Sequence, residues 1–138
     1  MTKTFDFGFG PVPAHRHSNG DGWVADTAYV TNTAYVGPEA WVFGNAWVGG
    51  DATVAEKARV SGDATVTVKA WVYGEAQVSG NAKITGNAWV GGNAMVTGNA
   101  MVTGNAMVTD NAMVTDNAVV GGGARITGNA RVTEGTHT

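Results

Sequence analysis

From Val24 to Val132, every sixth residue of the chain is Val or Ile. Two positions before each stands a small residue, Gly22 once and Ala in all the others, from Ala28 to Ala130. In an extended chain, residues two apart point to the same side. Each hexad therefore turns an Ala and a branched aliphatic residue inward, while the residue between them and the one after face out. The remaining two positions are typically Gly-Asn, Gly-Asp or Asp-Asn, as in Gly44-Asn45, Gly62-Asp63 and Asp110-Asn111. These types tolerate left-handed backbone angles. The pattern predicts about four residues of strand and a two-residue bend per hexad. Strands this short cannot fold back through such corners as hairpins, so they wind into a coil, stacked at roughly 4.8 Å per turn. A strict short period over most of a chain is the mark of a solenoid.

The two ends break the period. Residues 1–18 are not repetitive. Phe5, Phe7 and Phe9 alternate with Asp6 and Gly8, a strand-like pattern with one aromatic face, before Pro11, Pro13 and the polar run His15-Arg16-His17. We expect residues 1–18 to cap the first coil, and residues 19–138 to form the repeat body. Thr133–Thr138 keeps the spacing but has Thr136 and Thr138 where Ala and Val should stand. It reads as a decayed last hexad, the atypical terminal repeat that a solenoid needs.

The order of residues in Val102-Thr103-Gly104-Asn105-Ala106-Met107 resembles the hexapeptide-repeat family, whose motif is an aliphatic residue, any three, a small residue and any one. The resemblance implies an all-β fold, a left-handed parallel β-helix of triangular section with three hexads per coil. Nineteen hexads then give about six coils, a column of roughly 30 Å. The leading segment from His15 to Ala28, followed by Val36-Gly37-Pro38-Glu39-Ala40, also resembles hexapeptide-repeat proteins of unknown role in bacteria and their phages. The family includes acyltransferases and a zinc carbonic anhydrase, which use His residues and often loops ejected from the coil. This chain has no insertion and no His between residues 19 and 132, so neither active site finds matching positions.

With three hexads per coil, the outward residue before each aliphatic one falls into three columns. The first holds Trp23, Trp41, Arg59, Gln77, Met95, Met113 and Arg131. The second holds Tyr29, Trp47, Thr65, Lys83, Met101, Val119 and His137, and the third Tyr35, Thr53, Trp71, Trp89, Met107 and Arg125. Every Trp of the protein lies in these columns, outside the core. Large apolar groups on an outer surface mark interfaces, where aromatics and Met are enriched. Packing of a column on itself is the competing explanation; the presence of such residues on all three columns favours an interface.

Composition narrows the chemistry. There is no Cys, so there is no disulfide framework and no thiolate metal site. The net charge of −3 gives no basic surface for nucleic acid or anionic lipid. No apolar run approaches membrane-spanning length and the start lacks an apolar signal segment, so the expected location is the cytoplasm, with a virion as the alternative. His15 and His17 with Asp21 have the types and alternation of a metal site, but a polar loop before the first coil explains them better. Corner columns such as Asn45, Asp63, Asn81, Asn99 and Asn117 are mostly neutral amides. These suit side-chain stacking rather than Ca²⁺. Thr97, Thr115 and Thr133 alternate with Met and Arg rather than a second Thr, which argues against an ice-binding face.

The reading that follows is a non-catalytic β-solenoid without cofactor or metal that self-associates, as a trimer, and is phage-encoded. Its runner-up is an oligomer holding a small molecule between subunits; a transferase-like enzyme comes third. Residues expected at an interface or ligand are Trp23, Trp41, Trp47, Arg59, Trp71, Trp89 and Met101, with His15, Arg16 and His17 from the leading segment.

Overall fold

A computed structural model describes residues 3–8, 10–133 and 135–137. Three antiparallel-paired segments open the chain: β1 (Thr4–Asp6), β2 (Pro11–Arg16) and β3 (Trp23–Ala25). From β3 onward the chain is a parallel solenoid of about six turns. Its two-residue strands run Tyr29–Val30, Tyr35–Val36, Trp41–Val42 and so on to Arg131–Val132, with Thr136–His137 last. Strands 18 residues apart pair in parallel, for example Trp41 with Arg59 and Trp71 with Trp89. The result is three parallel sheets, one per predicted column, which form the faces of a triangular coil. Among the described residues there is no helix, hence none long and apolar enough to cross a membrane.

The hexad accounts for the core directly. The inward Ala and aliphatic residues are fully excluded from solvent from Ala34 to Val120. Burial loosens towards the end, where Ile126 and Val132 keep a small exposed fraction, Ala124 is half-buried and Ala130 is exposed. Between coils, three backbone N–H groups per hexad reach the next turn. Trp41 N donates to Ala58 O at 3.0 Å, Phe43 N to Val60 O at 2.9 Å and Asn45 N to Gly62 O at 2.9 Å. Regular strand covers two residues of each hexad rather than the four expected. The corner residue with positive φ bends the chain one position after the outward residue that follows the aliphatic one, and the bonds beyond continue as a ladder of turns. Each turn is closed internally, as by Ala52 N donating to Gly49 O at 3.2 Å.

Corner chemistry explains the glycines. At Gly80, φ is +65°, and a Cβ there would lie 2.8 Å from Gly98 N in the next coil. Gly is thus required both by the backbone angle and by the close stacking. Val68 breaks this rule. It holds φ +63° at the corner between the second and third faces, a conformation costly for a β-branched residue, and its side chain is exposed. Beside the glycines run the amide ladders. Asn81 Nδ2 donates to Asn99 Oδ1 at 3.2 Å, and Asn99 Nδ2 to Asn117 Oδ1 at 3.4 Å. In the first coil, Asp26-Thr27 and Asn32-Thr33 do not use a positive φ. There the Thr27 and Thr33 hydroxyls donate to Gly44 O and Gly50 O, the carbonyls that a corner N–H would otherwise serve.

One register differs from the hexad phase. Thr136 pairs with Val119 and His137 with Val120, so His137 is displaced by one residue from the column position beside Val119. Without an inward Ala and Val nothing buried fixes the phase of this last strand, and both its residues are exposed.

Two stability predictions follow from the core and the corners. Val102→Asp, which buries an unpaired carboxylate, should cost several kcal/mol and abolish the cooperative melt. Thr103→Asp, one residue on and outward, should melt close to the parent; equal behaviour of the two variants would contradict the facing. At the corners, Val68→Gly should raise stability by roughly 1 kcal/mol by relieving the left-handed Val. Gly80→Ala should lower it by about 1–3 kcal/mol, and a urea titration of both variants measures the opposite signs.

Candidate functional site

The leading segment builds onto one face only. β2 pairs antiparallel with β3 and so extends the sheet of the first face beyond its terminal strand. The hairpin then folds its aromatic side over that face. Phe5 stacks on Trp23 with ring centroids 4.7 Å apart, and Phe7 stacks on Phe43 at 4.9 Å. Both Phe rings also meet Trp41 edge-on. Two cations complete the cover. Arg16 Cζ lies 4.8 Å from the Trp23 ring and Arg59 Cζ 4.3 Å from the Trp41 ring. Trp23, Trp41 and Arg59 thus lie together on the first face, where the protein's own N-terminal hairpin, including Arg16, covers them. Phe9 lies outside the described residues. An open cavity of about 450 Å³ remains beside this cluster, lined by Phe5, Trp23, Pro38, Glu39, Trp41, Lys57 and Arg59.

His15 and His17 part company. His15 Nδ1 meets Asp26 Oδ1 at 2.8 Å on the surface. The buried His17 donates from Nε2 to Ala34 O at 2.8 Å, and Asn19 Nδ2 donates to the same carbonyl. Together with Gly22 N on Val36 O, this turn covers the first edge of the third face. The reading of His15-Arg16-His17 as a polar loop is corrected: His15 and Arg16 end strand β2, and the chain turns inward at His17 to satisfy an edge carbonyl. Among the described residues no cluster of three or more His, Asp or Glu has the disposition of a metal site.

The aromatics of the other two faces are bare. On the second face Tyr29 and Trp47 form a tilted pair at 4.9 Å, with Met101 further along the column. Tyr29 is 52% exposed, Trp47 49% and Met101 37%. On the third face Trp71 and Trp89 stack at 5.6 Å with 21° between their planes. Tyr73 meets Trp89 edge-on at 88°. The Tyr73 ring lies across Gly91, where a Cβ would fall 2.2 Å from Cζ. A recess of about 280 Å³ opens beside Trp89, lined by Asn87, Asn105 and Met107.

Columns drawn from one outward position per hexad missed Phe43 and Tyr73. Both occupy the other outward position, after the aliphatic residue. The hexad already identified that position as outward, so their size was the available signal.

A sequence profile described as the YdcK beta solenoid repeat matches residues 58–74 and 76–92, about a quarter of the chain. These stretches are similar to that repeat, in line with the parallel β-solenoid fold. No curated protein sequence and no solved structure matches the chain significantly.

The hairpin makes its own prediction. Phe7 is buried between Trp41 and Phe43. Phe7→Ala should remove about 3 kcal/mol of docking energy. Limited proteolysis should then cut within residues 3–18 at least tenfold faster than in the parent while the solenoid stays intact. An unchanged cutting rate would show that the aromatic cluster does not hold the hairpin.

Proposed function

We propose that the protein is a non-catalytic β-solenoid interaction module that self-associates as a trimer through its second face. The observation that carries this is the unequal cover of the three faces. The hairpin shields the aromatics of the first face, while Tyr29, Trp47 and Met101 on the second stand open. The second face is also flat. Its other outward column is Thr31, Gly49, Thr67, Thr85, Thr103 and Gly121, all small. A flat surface with aromatic anchors suits subunit packing. Strained, exposed Val68 sits at the corner of this face, an outlier that an interface would justify. The self-associating role and the three-fold symmetry rest on this surface chemistry, and an origin in a phage on the resemblance of the leading segment from His15 to Ala28 with Val36-Gly37-Pro38-Glu39-Ala40.

A three-fold axis brings the same column of each subunit together. It also brings together three copies of Lys83, the one charge in this column before its C-terminal end. Native mass spectrometry or light scattering tests the reading. Trp47→Glu should weaken assembly by roughly 2 kcal/mol or more, about thirtyfold in dissociation constant. Trp71→Glu, on the third face, should keep the parent mass, and Lys83→Met should tighten the assembly. A monomeric parent at working concentration would sink the proposal.

A further inference from the structure

The third face carries a recess with the chemistry of a ligand site. One aromatic ring, Trp89, lines it, and two others hold that ring. Trp89 is stacked on Trp71 from one side and met edge-on by Tyr73 from another. Tyr73 can lie in that position only because residue 91 is Gly. The indole is thus held in place, yet 41% of it is exposed. Preorganised aromatic surface of this kind binds with little ordering cost.

The wall is a pair of amides. Asn87 Nδ2 donates to Asn105 Oδ1 at 3.3 Å. The ladder stops there, because the corresponding positions one coil below and above are Lys69 and Gly123. Asn87 Oδ1 and Asn105 Nδ2 are left over, one acceptor and one donor at the two ends of the bonded pair. Met107 closes the far side. All four lining residues are uncharged, as is the whole stretch from residue 84 to 109. The nearest charges in these columns, Lys69 and Arg125, stand one coil away and do not line the recess.

We propose that this recess binds a neutral saccharide ring, stacked on Trp89. The C–H face of a pyranose carries partial positive charge and suits the negative face of an indole. Its adjacent hydroxyls each need a donor and an acceptor, which the Asn87–Asn105 pair provides. A nucleobase would also stack, but platforms for nucleic acid pair stacking with a positively charged groove. Here the lining is neutral and the second wall is a thioether rather than a ring. This site is separate from the second face, so it does not depend on the self-association proposed above.

The test is a titration of the full chain with neutral oligosaccharides of glucose, N-acetylglucosamine and galactose, with a uronic-acid oligomer and adenosine monophosphate as competitors. Tryptophan fluorescence and saturation-transfer NMR read binding. At least one neutral oligosaccharide should bind. Trp89→Leu should weaken that binding about tenfold or more, the loss of one stacking surface. Gly91→Ala, which displaces Tyr73 without touching the recess lining, should weaken it less but measurably. Far-UV circular dichroism of both variants should match the parent, and native mass should not change. Absence of binding by every neutral sugar would overturn the proposal. So would an affinity indifferent to Trp89→Leu, or tighter binding of the uronate or the nucleotide.

Discussion

The narrowness of the coil governs the rest of the structure. Each turn encloses space for one small and one branched aliphatic side chain per face, and these are fully buried along most of the column. A larger inward residue would force the backbone of that turn away from its neighbours and break the N–H to carbonyl bonds that join coils. A polar inward residue would have no water to meet it. The six-residue period is the trace of that restriction in the sequence. Because the interior admits so little variety, all variety moves outward, to two positions per hexad and to the corners.

The corners show how closely the turns approach. Gly is selected at Gly62 and Gly80 by a backbone angle and by a neighbouring coil that a Cβ would crowd. Asp110 fills the same type of position and points a carboxylate oxygen at Gly128 N, 3.1 Å away, so a polar side chain there can recover part of its cost. Val68 has no such bond and remains a backbone strain exposed on a corner. The Thr27 and Thr33 hydroxyls solve a different problem. The first coil has corners of another shape, and a side chain must supply the donor that a corner amide supplies elsewhere.

Fold and facing were legible because they depend on spacing alone. The columns Trp71–Trp89–Met107 and Tyr29–Trp47 stand in the structure in the order that an 18-residue period requires. What was not legible is whatever depends on segments outside the period. The hairpin's choice of the first face rests on contacts of Phe5 and Phe7 with residues 18 to 36 positions away in sequence, and no periodicity reports those. The divergence of His15 and His17 has the same origin, a turn inward to serve Ala34 O. The slip of His137 reflects the converse case: once the buried pair is missing, spacing no longer fixes register.

The hairpin therefore decides which outer surface remains available. Without it, three aromatic columns would be equivalent candidates for a partner. With it, the aromatic end of the first face becomes an internal cluster, and its Arg59 and Arg16 are committed to Trp faces. The other two faces then differ in relief rather than in hydrophobicity. On the second, residues after the aliphatic position are Thr or Gly, so aromatic rings stand on an even plane. On the third, Tyr73 lies over Gly91 and steadies Trp89 beside a recess. An even plane can be covered by an identical plane around an axis, whereas a recess with unspent amide groups is better matched by a small polar ring. In a fold whose core can hold no chemistry, the size of one residue after each buried aliphatic thus separates a packing surface from a binding one.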